Sequence, residues 1–579
     1  MAIDYDICII GSGAGGGPVA YSLARAGYSV LILEQGFFPR NQDFYKDEMA
    51  TALRKIYTPQ PQDEPHVIEF PDANSQWKTN LTTKLNWNFW NGNMVGGSSN
   101  LMSGFFHRMQ PQDFRLLSEY GPIQDANIVD WPISYSDLEP YYTAVESIVG
   151  ISGTVANTTD PTLRSTANFP LPPTLEHPVT NWLDTACDQL GLVPLKVPRA
   201  ILSRPTLGRN SCEYSGYCGS FGCSSGAKGS SRVAFILPAL ATGNCQVRPH
   251  SKVQRLHSNT QGKITEVEYI DATGTKQSVT AKIYVIACQA IETCRLLLLS
   301  TGPAFPYGLA NNQQQVGKNL IFSGGGTGSG KFVYADLSPE RAAQLRVMGP
   351  FINRALDTWY TISDTKLAPG RHKGGIIEFM LNHPNVVKKA DRVKWDSQGK
   401  LRWGLELKRH LENTFTTSRS LHFEVFNDWL PNANCQVILD SQTKDRWGTP
   451  VARVRIGYHP WDLKVGNFLA QKAQLLLTQL GAKHIHSTIT GSPPPNLQAG
   501  GCRFGVDPKQ SVLNPNCQAH EVDNLYITDG SFMPTGGSVP YTWTIYANAL
   551  RVAAHIANHI SKSSGVPLER PRLHSHAGV

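Results

Sequence analysis

The sequence has little charge of either sign and no long apolar run. Only 17% of its 579 residues are charged and 41% are hydrophobic, a balance that excludes an intrinsically disordered chain. The net charge of +8 is spread without a basic block, so a nucleic-acid-binding surface is not expected. No stretch of about 18 apolar residues occurs, which predicts that the chain has no membrane span. Its length is sufficient for two domains or one elaborate domain.

An export signal and a dense cysteine framework are also missing. The first six residues carry acids where a secretory signal carries Lys or Arg, so the chain is expected to have no export signal of its own. Eleven cysteines are scattered along the chain, which is too sparse for a disulfide scaffold and predicts mostly free, buried thiols. From about Ser561 apolar periodicity is lost, and residues 566–579 are predicted to be a flexible tail.

The strongest local pattern lies near the start of the chain. Ile7–Ile10 is a short apolar run typical of a buried parallel strand, and the G-x-G-x-x-G pattern of residues 11–16 follows it directly. A helix is predicted over Pro18–Ala26, and a second strand over Val30–Leu33 ends at Glu34. The order of strand, glycine turn, helix, strand and acid is typical of dinucleotide binding.

Each residue type in this pattern has a physical role. Gly11 permits the tight turn, Gly13 lets the backbone approach a pyrophosphate, and Gly16 allows close packing of helix and strand. The N-terminus of the helix faces the phosphates, and Glu34 is placed to bind ribose hydroxyls.

Further segments carry a family resemblance. They are a second glycine-rich loop, a strand running into a helix, a strand ending at an acid and a glycine, and two short motifs, at residues 91–99, 282–293, 524–531, 316–320 and 533–535. With these segments in order along nearly its whole length, the chain resembles the glucose–methanol–choline (GMC) oxidoreductases, which bind FAD. Residues 96–114 and 131–142 are more narrowly similar to the FAD subunits of bacterial gluconate, fructose, glucose and glucoside 3-dehydrogenases.

The resemblance implies an α/β fold, in which a Rossmann-like FAD-binding domain carries an inserted substrate domain built on an antiparallel sheet. The implied FAD-binding segments are 1–160, 200–325 and 495–565, the substrate domain is mainly 326–494, and 161–199 is a mixed segment. Within the substrate domain, alternation predicts half-buried strands at Ser420–Phe426 and Val451–Ile456. Apolar spacing predicts a helix over Lys464–Leu480.

FAD contacts are also implied residue by residue. The second glycine of the Gly-Gly pair is followed four residues later by Leu101, where some relatives carry a histidine bonded to the flavin, so FAD is expected to be non-covalent. The expected contacts are Gly11, Ser12, Gly13 and Gly16 at the pyrophosphate, Glu34 at the ribose, Gly97 and Ser98 near the phosphates and flavin, Val253 at the adenine, Asp529 and Gly530 near the pyrophosphate, Thr542 near the isoalloxazine edge, and Gln35 and Ala287 as further FAD contacts.

Three cysteines lie on a glycine-punctuated loop, at Cys212, Cys218 and Cys223. In this branch of the family the resemblance implies an iron–sulfur cluster here, and three sulfurs suit a [3Fe-4S] cluster. The last gap between cysteines is one residue longer than the branch pattern, and structural thiols under the FAD domain are the alternative.

The catalytic positions depart from the family. Oxidation of an alcohol by a flavin needs a base for the hydroxyl proton, and the family places a histidine and a His or Asn there. At the matching positions this chain has Leu497 and Pro540, and neither side chain accepts a proton.

Three interpretations remain open. The first is a dehydrogenase of a sugar, glycoside or polyol whose base lies elsewhere, with His107, Tyr541, His422, His484 and His486 as candidates. The second is flavin chemistry without an alcohol base, such as amine or acidic C–H oxidation, a redox-neutral step or a light-driven reaction, with Gln498 orienting a carboxylate. Separately, Arg503 is a candidate to pair with a charged substrate, and a structural role is its alternative. The third is a non-catalytic FAD-binding relay subunit.

Partners and compartment follow from the resemblance alone. A small-molecule substrate is expected, with electrons passed to a cytochrome or another acceptor, and a small chaperone-like subunit is a candidate partner. The compartment is expected to be cytoplasmic, or periplasmic if a signal-bearing partner exports the chain. Stacking on a sugar face is a hypothesis for Trp87, Trp90, Trp403 and Trp543.

Overall fold

The computed structural model of the protein describes residues 3–52, 57–58, 60–72, 74–85, 88–155, 161–381, 386–396, 398–491 and 496–564. Over these ranges, no helix is both long enough and apolar enough to cross a lipid bilayer. The helices are α1 (Gly16–Arg25), α2 (Glu48–Ala52), α3 (Thr82–Leu85), α4 (Leu116–Tyr120), α5 (Tyr135–Val149), α6 (Val179–Gln189), α7 (Leu237–Leu240), α8 (Ala290–Leu299), α9 (Pro339–Arg346), α10 (Val386–Val393), α11 (Gly404–Thr416), α12 (Pro460–Gln479) and α13 (Thr542–Ser564).

Most strands belong to two six-stranded sheets. The strands are β1 (Tyr5–Ile10), β2 (Val30–Leu33), β3 (Val67–Pro71), β4 (Trp77–Leu81), β5 (Leu195–Lys196), β6 (Cys245–Arg248), β7 (Lys252–Ser258), β8 (Ile264–Ile270), β9 (Lys276–Val279), β10 (Ala281–Ile286), β11 (Leu320–Ile321), β12 (Gly326–Val333), β13 (Arg354–Leu356), β14 (Thr361–Ile362), β15 (His372–Lys373), β16 (Gly375–Met380), β17 (Ser418–Asn427), β18 (Gln436–Lys444), β19 (Pro450–Arg455), β20 (Lys483–Thr488), β21 (Ala499–Gly500), β22 (Gln518–Ala519) and β23 (Val522–Ile527).

The first sheet has the order β22-β23-β10-β1-β2-β6. The strands from β23 to β6 run parallel, and β22 is antiparallel at the edge. Ile7–Ile10 and all of β2 are buried, as expected for central strands that helices cover on both faces. α1 and α13 pack against each other beside this sheet. The predicted α/β class with a Rossmann-like sheet is confirmed.

The second sheet has the order β20-β12-β17-β16-β13-β5 and is antiparallel throughout. In β17 the side chains of Leu421, Phe423 and Val425 are buried in one core cluster with α12. Because successive strand residues point to opposite faces, the residues between them face the other way. That second face looks toward the first sheet.

Local patterns predicted most elements within a few residues. α1 begins two residues before the predicted helix, α12 begins four residues before its prediction, and β17 covers its prediction completely. β19 forms as predicted, but it lies outside the six-stranded antiparallel sheet, because it pairs in parallel with β3 in the sheet β18-β19-β3-β4. Residues 561–564, where the flexible tail was expected to begin, lie in α13, and 566–579 fall outside the described residues.

Candidate active site

A cavity of about 530 Å³ lies between the two large sheets. One wall comes from the carboxyl ends of β1, β2, β10 and β23, where open parallel sheets bind their ligands. The other comes from Met380 on β16 and from Glu424 and Phe426 on β17. The volume is in the usual range for a cofactor or small-molecule site.

The glycine turn after β1 has the geometry of a pyrophosphate cradle. Gly11 has a φ of +94°, and a Cβ at this position would be 2.3 Å from the Ala287 carbonyl oxygen. At Gly13 the nearest atom to a Cβ would be the Gly97 Cα at 4.0 Å, so a side chain would occupy cavity space. α1 has no side-chain N-cap and no acid in its first turn. Its N-terminus is therefore open to an anion, and the turn fits the FAD pyrophosphate.

Ser12 joins this turn to the ribose-side acid and to the second glycine loop. Its hydroxyl donates to Glu34 Oε2 over 2.5 Å and accepts from the Gly96 amide over 3.0 Å. Glu34 also accepts from the Gly36 amide, and burial raises the pKa of its carboxyl. Gln35 donates to Glu64 over 2.8 Å. These bonds hold the two loops and the end of β2 in one arrangement.

The other predicted FAD contacts, with one exception, line the same cavity. Asp529 accepts from the Ser531 amide over 2.9 Å, and burial raises the pKa of its carboxyl. The exception is Gly16, which does not line the cavity. It allows α1 to pack closely against the glycine turn, because a Cβ at this position would be 2.1 Å from the Gly11 carbonyl oxygen. Besides the residues already placed, Gly97, Ser98, Val253, Ala287, Gly530 and Thr542 line the cavity.

Leu497 and Pro540, the positions that lack the family base, both line this cavity. Leu497 has a φ of +53°, a left-handed conformation that is uncommon for leucine. The Tyr541 hydroxyl donates to the Leu497 carbonyl oxygen, and burial raises the pKa of that phenol well above its ordinary value. Tyr541 is therefore not placed to act as a base near neutral pH. Gln498 also lines the cavity and accepts from the Gln289 amide group.

His107, the histidine predicted as an alternative base, lies behind the cavity wall. Its Nε2 is 2.6 Å from Glu378 Oε1, and the residue is not among those that line the cavity. His107 therefore does not line the cavity, and its contact is with Glu378, the register partner of the cavity residue Glu424. A role for His107 as the base stays a prediction.

The remaining candidate side chains also lie away from the cavity. Burial, followed by the charge of Lys389, lowers the pKa of His422 to about 4, and His484 is on β20, a strand with exposed residues. His486 lies on the same strand. Arg503 donates to the carbonyl oxygens of Gln510 and Asn127, which indicates a structural role for this arginine.

The candidate tryptophans also differ in whether they line the cavity. Trp90 lines the cavity, Trp543 is buried in the core beside Tyr142, and Trp403 is 78% exposed. Trp87 falls outside the described residues. Among the tryptophans that the structure describes, Trp90 stays a candidate for stacking, and the hypothesis for Trp87 is untested.

Glu424 is a cavity residue that the motif comparison missed. It occupies the face of β17 opposite Leu421, Phe423 and Val425, and its register partner on β16 is Glu378. Burial, together with the negative charge of Glu378, raises the pKa of Glu424 to about 8. A glutamate between buried apolar residues of an alternating strand was the available signal, but the strand's orientation was needed to interpret it.

A second missed group is the buried cluster of Glu64, His66 and Glu292, whose ligand atoms all lie within 4.8 Å of one another. His66 Nε2 is 3.0 Å from Glu292 Oε1. Lys252 and Arg295 also contact Glu292. Burial alone would raise the pKa of the Glu292 carboxyl, but the charges of Arg295 and then Lys252 outweigh it, and the pKa is lowered. These cations already balance the carboxylate, which indicates an ion-pair network beside the predicted adenine contact Val253.

The three loop cysteines come together at a second cavity, of about 110 Å³. Their side chains are partly buried against Leu171, Ile201, Leu202 and Ala227, and all eleven cysteines of the chain are free thiols. Burial raises the pKa of Cys212 to about 11. At Cys223 burial acts in the same direction, but the Lys228 ammonium and nearby donors outweigh it and lower the pKa.

The chain is similar in sequence to known proteins of one family. Models of the GMC oxidoreductase family match residues 78–322 and 431–549. The chain is 30% identical to 6'''-hydroxyparomomycin C oxidase of Streptomyces lividus, over 96% of this chain and 92% of that protein. It is 31% identical to 2-methyl-1,2-propanediol dehydrogenase of Mycolicibacterium austroafricanum, over 96% of each.

Two further comparisons extend this result. The chain is 27% identical to the fructose dehydrogenase large subunit of Gluconobacter japonicus, over 96% of this chain and 98% of that subunit. The crystal structure of pyridoxine 4-oxidase from Mesorbium loti matches with a TM-score of 0.62 at 17% identity, over 96% of this chain and all of that one. This last likeness concerns the fold.

Proposed function

This chain belongs to the GMC oxidoreductase family, whose enzymes use FAD, and on that premise we propose that it dehydrogenates a CH–OH group of a sugar, glycoside or related polyol and passes the electrons to an external acceptor. The observation that carries the proposal is one cavity lined on one side by the pyrophosphate cradle and on the other by Met380, Glu424 and Phe426 of the second sheet. Such a space would bring a substrate held by the second sheet next to a cofactor held by the cradle.

FAD, when bound, supplies the acceptor for the hydride that leaves the oxidised carbon. The chain's own contribution is to hold and orient it. Gly11, Gly13 and the N-terminus of α1 would hold the pyrophosphate, and Glu34 with Ser12 would hold the ribose side. Leu101 is buried and hydrocarbon, so it offers no atom for a covalent link to the flavin.

The relatives support an alcohol substrate. A propanediol dehydrogenase and a fructose dehydrogenase each align over 96% of this chain, so the likeness includes the second sheet as well as the FAD-binding sheet. The cavity wall formed by the second sheet also carries a carboxyl group, Glu424, between Met380 and Phe426. A carboxyl group and the apolar surface of Met380 and Phe426 together suit a ligand with hydroxyl and C–H groups.

The position of the cysteine loop supports an external acceptor. Ser103, Phe105 and Met380 line both the large cavity and the cysteine cavity, so the two sites share a wall. A cluster held by Cys212, Cys218 and Cys223 would lie next to the flavin site, where it could receive electrons. The lowered pKa of Cys223 favours the thiolate that such a cluster needs.

A second candidate function follows from Leu497 and Pro540. Because neither side chain takes a proton and both line the cavity, a reaction without an alcohol base is the alternative. Oxidation of an amine or an acidic C–H group, or a light-driven reaction of a carboxylate held near Gln498, would need no histidine at these positions.

Anaerobic flavin reduction tests the proposal. The purified FAD-bound protein is mixed in the dark with fructose, gluconate, a glucoside and 2-methyl-1,2-propanediol, and the flavin absorbance is followed. Loss of absorbance with at least one alcohol, with turnover when a dye acceptor is added, is the expected result. A flavin that stays oxidised with every alcohol, but is reduced by amines or turns over a carboxylate under blue light, would overturn it in favour of the second candidate.

A further inference from the structure

We propose that Glu424 accepts the hydroxyl proton of the substrate, taking over from the second sheet the role that the family gives to a histidine on the opposite wall. The inference rests on the proposed alcohol oxidation and names the base that this reaction lacks at Leu497 and Pro540.

The first argument is position. Leu421, Phe423 and Val425 occupy the buried face of β17, so the strand's alternation turns Glu424 to the other face. Glu424 then lines the same cavity as Leu497 and Pro540, with Met380 and Phe426 beside it. Among the described residues of the second sheet, Glu424 is the carboxylate that lines this cavity. It faces the carboxyl ends of the parallel strands.

The second argument is availability. Between described residues, no hydrogen bond or ion pair involves the carboxylate of Glu424. The carboxyl group directly opposite, Glu378, is fully buried and is engaged by His107 Nε2 at 2.6 Å. On its other side, the register partner of Glu424 on β12 is Thr327, which carries no charge. Glu378 is therefore committed to its histidine, and Glu424 is the member of the pair that can exchange a proton with a ligand.

The third argument is base strength. Two carboxylates on neighbouring strands disfavour each other's ionisation, and the buried Glu378 acts in this way on Glu424 together with desolvation. A carboxyl group that titrates near 8 is a much stronger base than an ordinary glutamate and is better matched to a neutral or mildly alkaline reaction.

The step balances without a further reactant. The hydroxyl proton of the substrate would go to a carboxylate oxygen of Glu424, and FAD, when bound, would supply the acceptor for the hydride that leaves the same carbon. The alcohol becomes a carbonyl compound, and Glu424 becomes a neutral acid that returns its proton to solvent before the next turnover.

The activity test uses three variants with FAD content measured for each. Glu424→Gln keeps the shape but cannot take a proton, and its kcat/KM with the alcohol that reduces the wild type is expected to fall by about 10²- to 10⁴-fold. Glu412→Gln, at an exposed position of α11, is the matched control and should match the wild type. Wild-type kcat/KM should rise with pH through about 8, and Glu378→Gln should move this rise to lower pH because it removes the opposing charge.

A second readout needs no turnover. The folded-state pKa of Glu424 is raised above its unfolded value, so ionisation costs stability as the pH rises from the unfolded pKa through about 8. Glu424→Gln lacks this cost. Its Tm relative to the wild type should therefore increase between pH 5 and pH 9, whereas the Tm difference for Glu412→Gln should stay constant.

The outcomes separate the two proposals. If alcohols reduce the wild-type flavin and Glu424→Gln retains the wild-type rate and pH profile, the assignment of Glu424 is overturned and the proposed function stands. A Tm difference that does not change with pH also overturns the assignment. If no alcohol reduces the wild-type flavin at any pH, the proposed function fails and the role of Glu424 in it fails as well.

Discussion

At the scale of single residues, Gly11 and Gly13 show that two glycines in one turn have different reasons to be glycine. Gly11 has a left-handed backbone conformation, and backbone atoms of Ala287 occupy the space that a side chain would need. Gly13 has neither constraint, and the atom nearest to a Cβ built at this position would be 4.0 Å away. The first glycine serves the fold, and the second leaves room for a ligand.

This difference predicts opposite phenotypes. Gly11→Ala is expected to destabilise the protein by at least about 2 kcal/mol, because of its φ and the contact with the Ala287 carbonyl. Gly13→Ala should leave the Tm of the FAD-free protein unchanged and weaken FAD binding about tenfold or more. Thermal melts and FAD titrations of both variants check this, and equal effects of the two substitutions would contradict it.

The sequence predicted the cofactor cradle much better than the catalytic groups, for a physical reason. The turn, helix start and acid of residues 11–34 are contiguous, so their chemistry is visible in one short segment. Leu497 and Pro540, which stand in recognisable motifs, also line the cavity. Glu424 depends on the facing of β17 and on Glu378 across the strand pair, and neither is visible without the tertiary fold.

At the scale of secondary structure elements, α12 anchors the second sheet. Leu476 on this helix is fully buried in the core cluster shared with β17, whereas its neighbour Leu475 is 59% exposed. Leu476→Ala is expected to cost about 2–5 kcal/mol of unfolding free energy through lost burial and the cavity it leaves. Leu475→Ala should change it by less than about 0.5 kcal/mol. Denaturant unfolding of both variants measures the contrast, and similar losses would show that α12 is packed differently.

The cysteine loop carries a prediction of its own. If Cys212, Cys218 and Cys223 hold a [3Fe-4S] cluster, protein purified anaerobically should contain about three irons per chain with matching sulfide. Cys223→Ser should lose the iron and keep the FAD, while Cys187→Ser, at a buried cysteine of α6, should keep both. Iron-free wild-type protein with intact flavin would identify the three residues as structural thiols.

Whether a segment forms a helix or a strand was predictable from the local pattern of apolar residues. Which sheet a strand joins was not predictable in this way. The alternation at β19 correctly indicated a strand. Its partner β3 lies several hundred residues earlier in the chain, and such long-range pairing leaves no signal in the strand itself. Propensity and periodicity report what an element is, whereas its neighbours depend on the whole fold.

At the scale of the whole molecule, the large cavity lies where two hydrophobic cores meet. One core surrounds the parallel sheet and includes Phe426, and the other joins the opposite face of β17 to α12. β17 contributes side chains to both cores. A ligand between the sheets therefore contacts structure that belongs to both.

FAD is accordingly expected to stabilise the entire protein. Because the folded state binds FAD and the unfolded chain does not, free FAD at about 100 times its Kd should add about 2.7 kcal/mol to the unfolding free energy. The Tm of FAD-depleted protein should rise steadily with added FAD, and Gly13→Ala should reduce the rise. A Tm that does not respond to FAD would show that the cavity is not its binding site.

The strand order of the parallel sheet has a consequence for biosynthesis. β1 lies beside β10, and β10 beside β23, so roughly 500 residues separate the first strand of this sheet from the parallel strand that is made last. At translation rates of about 5–20 residues per second, β1 waits about half a minute to nearly two minutes for β23 to leave the ribosome. During that interval the apolar strands at Ile7–Ile10 and Val30–Leu33 have an incomplete sheet. We therefore expect the nascent chain to expose apolar surface that chaperones bind, and the wall of the cavity that β23 forms to be completed only after the last segment is translated.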